Sequence, residues 1–280
     1  MGYLLISVKK TFRNLYVLTF LNGFLIASLF YFRMLSVYEN GLFNSIKSSI
    51  GATLNADDTP DSIFIKSMNS CYTLMRNRAN VFMKNEATLG LQGGIFRSTA
   101  IDLNTADGAC GSYSEVLARL LKTFDYKVRI GQMMADGKFG AHVIVEAYTG
   151  SRWVALDPSY NLYFVRPDSR LAGIADIRGN WGYYSHQTPP GYNPKYRYEQ
   201  VRYTNWSKIP VLMPALKQML TWTIGEQRTN DISIRVLFLN VYDVYFYIIL
   251  ALEICLLLMT IRLRVRIRHS PSPLQLNPGF

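Results

Sequence analysis

The chain has 280 residues and a formal net charge of +11, which is room for one core of moderate size with sequence left over. Residues 1–13 contribute +3 and residues 262–280 contribute +4, and neither tail contains an acidic residue. Only +4 remains for the residues between, so nucleic acid is not an expected partner. The three cysteines and three histidines are widely scattered, so neither a metal site nor a cofactor is predicted.

The first predicted element is a transmembrane helix over residues 15–36. Its central run, Leu15–Phe32, contains no charged residue and is about one bilayer thickness long as a helix. Basic residues precede and follow the run, and residues 1–14 are assigned to a cytoplasmic tail. A cleaved signal peptide is the alternative. The apolar run is longer than signal peptides usually have, and no convincing small-x-small cleavage site follows it.

A second transmembrane helix is predicted over residues 236–262, followed by a basic tail at residues 263–280. Four arginines follow the apolar run Val244–Ile261 directly. Because basic residues concentrate on the cytoplasmic side of membranes, both termini are predicted to be cytoplasmic. Residues 37–235 would then form an extracytoplasmic domain, periplasmic or extracellular, of a two-pass protein in the inner (plasma) membrane.

Glu253 falls in the middle of the second predicted span. A carboxylate inside a bilayer is costly and usually faces a polar partner or a cavity. Asn22 and Ser28 of the first span are candidate partners within the chain. The alternatives are a protonated Glu253 packed against the first span, and contact with a separate membrane protein.

Between the spans, hydrophobic periodicity predicts helices first and strands later. Residues 84–107, rich in Gly, Asn and Thr, are predicted to be irregular. A section rich in Tyr, Pro and Gly follows Pro158 and extends to about Lys208. The predicted helices are a short one near Leu42–Ile50 within a polar linker over residues 38–58, one from Thr59-Pro60 to about Met83, one from Cys110 to Phe124, and one over Val211–Trp222. The predicted strands lie near Lys127–Met133, Ala141–Tyr148 and Arg152–Asp157.

The three cysteines have different surroundings. Cys255 lies within the second span and is most simply apolar filling. Cys71 lies on an apolar stripe of its helix, which predicts a buried position. A disulfide between Cys71 and Cys110 remains the alternative, because the predicted compartment is oxidising.

Cys110, His142 and Asp157 occur in the order and local settings that a thiol nucleophile, its base and its orienting carboxylate require. Cys110 opens a helix, where backbone N–H groups and the helix dipole lower a thiol pKa. Asp107, or Ser112 with Glu115, is a candidate cap for this helix. The expected chemistry is acyl transfer at an amide or ester.

The register of the predicted hairpin brings the second and third of these residues together. A two-residue turn at Thr149-Gly150 would pair Tyr148 with Ser151. His142 would then lie directly opposite Asp157, with both side chains on one face of the sheet. A three-residue loop would change this register unless a bulge absorbed it.

These residues lie in three blocks, GACGSYSEVLARLL, GAHVIVEAY and RWVALDPSY, that resemble the signature blocks of transglutaminase-like cysteine enzymes. The resemblance covers roughly residues 105–163. It implies Cys110 as nucleophile, His142 as general base and acid, and Asp157 as the residue that orients the imidazole. The implied fold is α+β, a papain-like core in which the cysteine-bearing helix packs on an antiparallel sheet. Papain-type proteases share the order, but their histidine lies much further downstream.

The residue that would stabilise the oxyanion is less well defined by sequence. The backbone N–H of Cys110 is one candidate donor, Asn104 is a second, and Gln92 is a more distant third. No tryptophan precedes Cys110 in the chain, whereas animal transglutaminases have one in this role. Protein cross-linking is therefore not assumed as the reaction.

Two functional hypotheses result. The first is a membrane-anchored thiol enzyme of the cell envelope, a peptidase, amidase or acyltransferase with a peptide or protein as acyl donor. The second is a catalytically idle scaffold subunit of an envelope or polysaccharide assembly complex. The tyrosines of the later section are candidates for binding in the scaffold or for a lid over the cleft, and half-buried packing is the third explanation. They are Tyr183, Tyr184, Tyr192, Tyr196 and Tyr198.

Overall fold

A computed structural model describes residues 14–82 and 97–269 and divides the chain into two compact units. One unit consists of residues up to Tyr38 together with residues from Tyr242 onward, and the other is Glu39–Val241. The architecture is α+β, with a five-stranded antiparallel sheet and two long apolar helices.

The two long helices are α1, Leu15–Gly51, and α9, Val241–His269. Their most apolar windows have mean hydropathies of 1.8 and 2.4, and both are long enough to cross a bilayer. They are compatible with a two-pass membrane protein. Residues 42–50 are helical as predicted, but the predicted break before them is wrong, because α1 continues to Gly51. Phe43 and Ile50 lie two helical turns apart on the same face of α1. Both are buried and anchor this continuation in the domain core.

Polar contacts join the two helices within the first unit. Asn22 donates from Nδ2 to Thr260 Oγ1 at 3.0 Å, and Ser36 donates to Asp243 Oδ1 at 2.5 Å. Ser28 instead donates to the carbonyl of Phe24 in its own helix. The prediction that Asn22 or Ser28 binds Glu253 is therefore wrong.

The second unit begins with helices that build one layer of its core. The Thr59 hydroxyl accepts the N–H of Ser62, as expected for a cap followed by Pro60. Cys71 is buried on the predicted apolar stripe, and both Cys71 and Cys110 are free thiols, so the disulfide alternative is wrong. The remaining helices are α2 Pro60–Phe82, α3 Thr99–Thr105, α4 Cys110–Thr123, α5 Ile174–Gly179, α6 Trp181–Tyr184, α7 Leu212–Ile224 and α8 Glu226–Asn230, with 3-10 turns at Ser185–Gln187 and Ile234–Phe238.

Five strands form a single antiparallel sheet in the order β4-β3-β2-β1-β5. Alternate residues of β2 face two different cores: Val143 and Val145 pack in the cluster that contains α2 and α4, while Ile144 packs among the tyrosine-rich section. The sheet therefore separates the helical layer from a layer of aromatic side chains. The strands are β1 Val128–Ala135, β2 Lys138–Tyr148, β3 Trp153–Asp157, β4 Leu162–Tyr163 and β5 Arg197–Arg202.

Candidate active site

Cys110 is half-buried at the first residue of α4. The residue before it, Ala109, has φ 47° and makes no side-chain cap. This is a backbone conformation that a residue with a Cβ rarely adopts. Neither predicted capping arrangement forms, because the turn before Cys110 is held by a different set of contacts.

Those contacts centre on the buried carboxylate of Asp102. Its Oδ1 accepts hydrogen bonds from Ser112 Oγ at 2.6 Å and from Arg97 Nη2 at 2.6 Å. Ser112 Oγ in turn accepts the Gly108 N–H at 2.8 Å. A Cβ on Gly108 would lie 2.6 Å from Arg97 Nη2 and 2.7 Å from Ser112 Oγ, so a side chain at this position would displace the network. The network fixes the backbone that presents Cys110.

His142 and Asp157 meet on the aromatic side of the sheet. His142 Nε2 lies 2.5 Å from Asp157 Oδ2, and both side chains are almost fully buried. The other carboxylate oxygen, Oδ1, accepts from Ser159 Oγ at 2.8 Å. Both oxygens of Asp157 are therefore engaged, and its orientation relative to the imidazole is fixed.

The predicted register of the hairpin is wrong, although the two residues still meet. Tyr148 pairs with Trp153 and Val145 with Leu156, so the loop is longer than the predicted two-residue turn. Thr149 Oγ1 accepts the Arg152 N–H at 3.2 Å and stabilises this longer loop. The pairing moved by two residues, which leaves every side chain on its original face. His142 and Asp157 are diagonal rather than direct neighbours, within reach of long side chains.

The Cys110 thiol is close enough to the His142 side chain for the hydrogen bonding and positive charge of His142 to act to lower the thiol pKa. Since His142 Nε2 is engaged by Asp157, Nδ1 is the ring nitrogen that remains for the thiol. The imidazole thus stands between the sulfur and the carboxylate, in the order that nucleophile, base and orienter require.

The charges of these groups favour an ion pair between the thiolate and the imidazolium. Burial acts to lower the pKa of His142, but the negative charge of Asp157 and hydrogen bonds to Asp157 and Cys110 raise it to about 9. Burial acts to raise the pKa of the Cys110 thiol, but the hydrogen bond and charge of His142 outweigh it and hold that pKa below its ordinary value. A lower pKa increases the fraction of thiolate, which is the nucleophilic form of a cysteine.

Three tyrosines surround the imidazole of His142. Tyr196 stacks on it face to face, with centroids 4.3 Å apart and planes 6° from parallel. Tyr160 and Tyr192 approach it edge-on, at 5.6 and 6.4 Å between ring centroids. The hydroxyl of Tyr192 is bonded to that of Tyr198 at 2.7 Å, which anchors the arrangement in the core. Sequence had placed Tyr192, Tyr196 and Tyr198 in a tyrosine-rich section without assigning them to the imidazole.

The other predicted site residues are not brought to Cys110 by contacts that the structure records. Asn104 lies near the end of α3 and is exposed. Gln92 lies outside the described residues. Of the remaining tyrosines of the later section, Tyr184 is buried beside Phe164, whereas Tyr183 is exposed.

Glu253 is buried within α9. Its Oε2 has no hydrogen-bond partner among the residues that the structure describes.

No protein-family model, curated protein or solved structure matches the chain. The candidate site is therefore defined by its own geometry. A thiol, an imidazole and a carboxylate in series, with the imidazole shielded by aromatic rings, can perform nucleophilic attack on an acyl carbon.

Proposed function

We propose that this chain is a membrane-anchored, transglutaminase-like thiol enzyme that attacks an amide or ester carbonyl through Cys110. The observation that carries the proposal is the imidazole of His142, which is hydrogen-bonded to Asp157 through Nε2 and lowers the pKa of the Cys110 thiol. The packing of α4 on an antiparallel sheet supports it, because this is the core that the sequence resemblance implies.

In the proposed reaction the Cys110 thiolate adds to the carbonyl carbon and forms a tetrahedral intermediate. The imidazolium of His142 then donates its proton to the leaving amine or alcohol, and the C–N or C–O bond breaks to leave a thioester on Cys110. Water or an amine next attacks the thioester while His142 accepts its proton. The thiolate leaves, and the starting ion pair is restored. The backbone N–H of Cys110 is the candidate oxyanion donor.

A peptide or isopeptide bond is the proposed target, with water as the favoured acceptor. The absence of a tryptophan upstream of Cys110 in the sequence distinguishes the chain from animal transglutaminases that cross-link proteins. The three small residues around the nucleophile, Gly108, Ala109 and Gly111, leave room for an extended substrate backbone. The proposed acyl donor is therefore a peptide or protein.

We place the domain outside the cytoplasm. The basic residues at both ends of the chain favour the cytoplasmic side, so that both termini lie inside and the domain between the spans lies in the periplasm or extracellular space. The proposed substrate is accordingly a component of the cell envelope.

The test is covalent labelling of the full-length protein in detergent by an acyl probe directed at thiols. The native chain is expected to be labelled at Cys110, and Cys110→Ala is expected to abolish labelling. Cys255→Ala is the matched control, since Cys255 lies in α9 outside the domain. Labelling that survives Cys110→Ala would contradict the proposal.

A scaffold function is the second candidate, and Glu253 favours it. A buried carboxylate with an unpartnered oxygen, among the described residues, is a feature that a second membrane protein would satisfy. On this hypothesis, a membrane protein copurifies with the native chain, is lost with Glu253→Leu and is retained with Cys110→Ala. Retention with Glu253→Leu would remove the support for a scaffold.

A further inference from the structure

Helix α7 carries an apolar stripe on its exposed side. Leu212, Ala215, Met219 and Trp222 recur at spacings of three and four residues, which places them on one face of the helix. Leu212 is 61% exposed, Met219 is 53% exposed and Trp222 is 79% exposed. In the described parts of the chain, none of the 13 residues of α7 is buried.

The half-buried apolar residues of α7 adjoin the exposed stripe rather than lying opposite it. Met213, Leu216 and Leu220 are half-buried, again at helical spacing. Lys217 is the one charged residue in the helix. A helix at the surface of a soluble domain ordinarily exposes polar side chains, whereas α7 exposes Leu212, Met219 and Trp222.

We propose that α7 lies in the interface of the lipid bilayer, with its exposed stripe between the headgroups and the acyl chains. Chain continuity supports a bilayer as the occupant. Residues 225–240 alone separate α7 from α9, which is long and apolar enough to span a membrane. Leu237 and Phe238, within that connection, are exposed as well. Tryptophan is enriched at membrane interfaces, and Trp222 is the most exposed side chain of the stripe.

The dimensions of the stripe argue against a second protein surface. A 13-residue helix is about 20 Å long and about 10 Å across, so one face offers on the order of 200 Å². Each partner in a standard protein interface buries about 800 Å². A bilayer has no such minimum area, because every apolar side chain that enters it adds independently to the binding.

Tryptophan fluorescence can test this without added labels. The chain has four tryptophans, Trp153, Trp181, Trp206 and Trp222, and none of them lies in α1 or α9. Any quenching of tryptophan by lipid therefore reports on the domain and not on the spans. The full-length protein is reconstituted into phosphatidylcholine–phosphatidylglycerol vesicles, with either ordinary or brominated acyl chains.

Brominated lipid is expected to quench part of the emission of the native protein. That quenched part is expected to disappear in Trp222→Phe and to persist in Trp206→Phe, the matched control in a half-buried loop position. Iodide in the aqueous phase should not quench the emission that Trp222 contributes. Because Trp222 is largely exposed, its conservative replacement is not expected to unfold the domain.

Two results would overturn the proposal. If iodide quenches the Trp222 emission and brominated lipid does not, the stripe faces water. If neither agent quenches it, protein covers the stripe, either a second copy or another partner. Neither result bears on the reactivity of Cys110, so this inference and the proposed enzymatic function can fail independently.

Discussion

Replacement of Asp157 by Asn removes the charge that holds His142 protonated while keeping the side-chain shape. The pKa of His142 is about 9 in the folded chain, against an ordinary value of 6.5. This difference corresponds to roughly 3 kcal/mol in favour of the imidazolium at 1.36 kcal/mol per pKa unit. Asp157 makes the largest favourable contribution, and the opposing effect of burial remains in the variant. The pKa of His142 is therefore expected to fall toward 6.5.

The sign of the effect follows from the protonation state at the assay pH. At pH 7.5 a group with a pKa of about 9 is about 97% protonated, and one with a pKa of 6.5 is about 9% protonated. Loss of the imidazolium removes the positive charge that lowers the pKa of the Cys110 thiol. At pH 7.5 we expect alkylation of Cys110 by iodoacetamide to be roughly tenfold slower in Asp157→Asn, in proportion to the lost imidazolium. The pH at which alkylation begins should also be higher.

The assay is the rate of Cys110 alkylation from pH 5 to pH 10, measured by mass spectrometry of the peptide that contains it. Asp168→Asn is the matched control, because Asp168 is an exposed carboxylate whose ion pairs are with Arg166 and Arg170 and not with a residue of the triad. An Asp157→Asn profile that superimposes on the native profile would refute the assignment of Asp157 as the residue that holds the imidazolium.

Two further substitutions test the surroundings of the triad by the same alkylation assay. Tyr196→Leu removes the ring stacked on His142 and is expected to slow alkylation several-fold, whereas Tyr196→Phe keeps the ring and should stay near the native rate; equal rates for both would show that stacking is unimportant. Gly108→Ala places a methyl group against Ser112 and is expected to lower the free energy of unfolding by about 1–3 kcal/mol, as read from chemical denaturation, and to slow alkylation. Gly111→Ala, which meets no atom within 4 Å, is the control, and a similar loss in both variants would contradict the steric explanation.

Local periodicity was sufficient to predict the helices that begin at Pro60 and Cys110 and the three main strands. These segments have buried stripes or alternating faces that recur at the period of the element they form. Strand β4 is only two residues long, and β5 lies in the tyrosine-rich section, so neither has enough alternating residues to be recognised. The sequence predicted a helix near Leu42–Ile50 but not its continuity with the first span, because the polar residues Glu39 and Asn40 interrupt the apolar pattern between them.

In the hairpin the predicted turn is wrong, but His142 and Asp157 still meet on one face of the sheet. Sequence predicted a two-residue turn, and the structure has a longer loop with Tyr148 opposite Trp153. Side chains alternate with period two, so an even shift in register kept His142 and Asp157 on one face. An odd shift would have separated them.

The sequence by itself determined the identities, order and local settings of Cys110, His142 and Asp157, since a helix start and two alternating strands are properties of short segments. It also determined the two long apolar helices, because length and composition suffice for them. Tertiary structure alone decided which residues surround the triad: the carboxylate network of Asp102 before the nucleophile and the ring of Tyr196 on the imidazole. These contacts join different segments of the chain, so the periodicity within one segment cannot predict them. Which apolar side chains of α7 are exposed was likewise decided only by the tertiary structure.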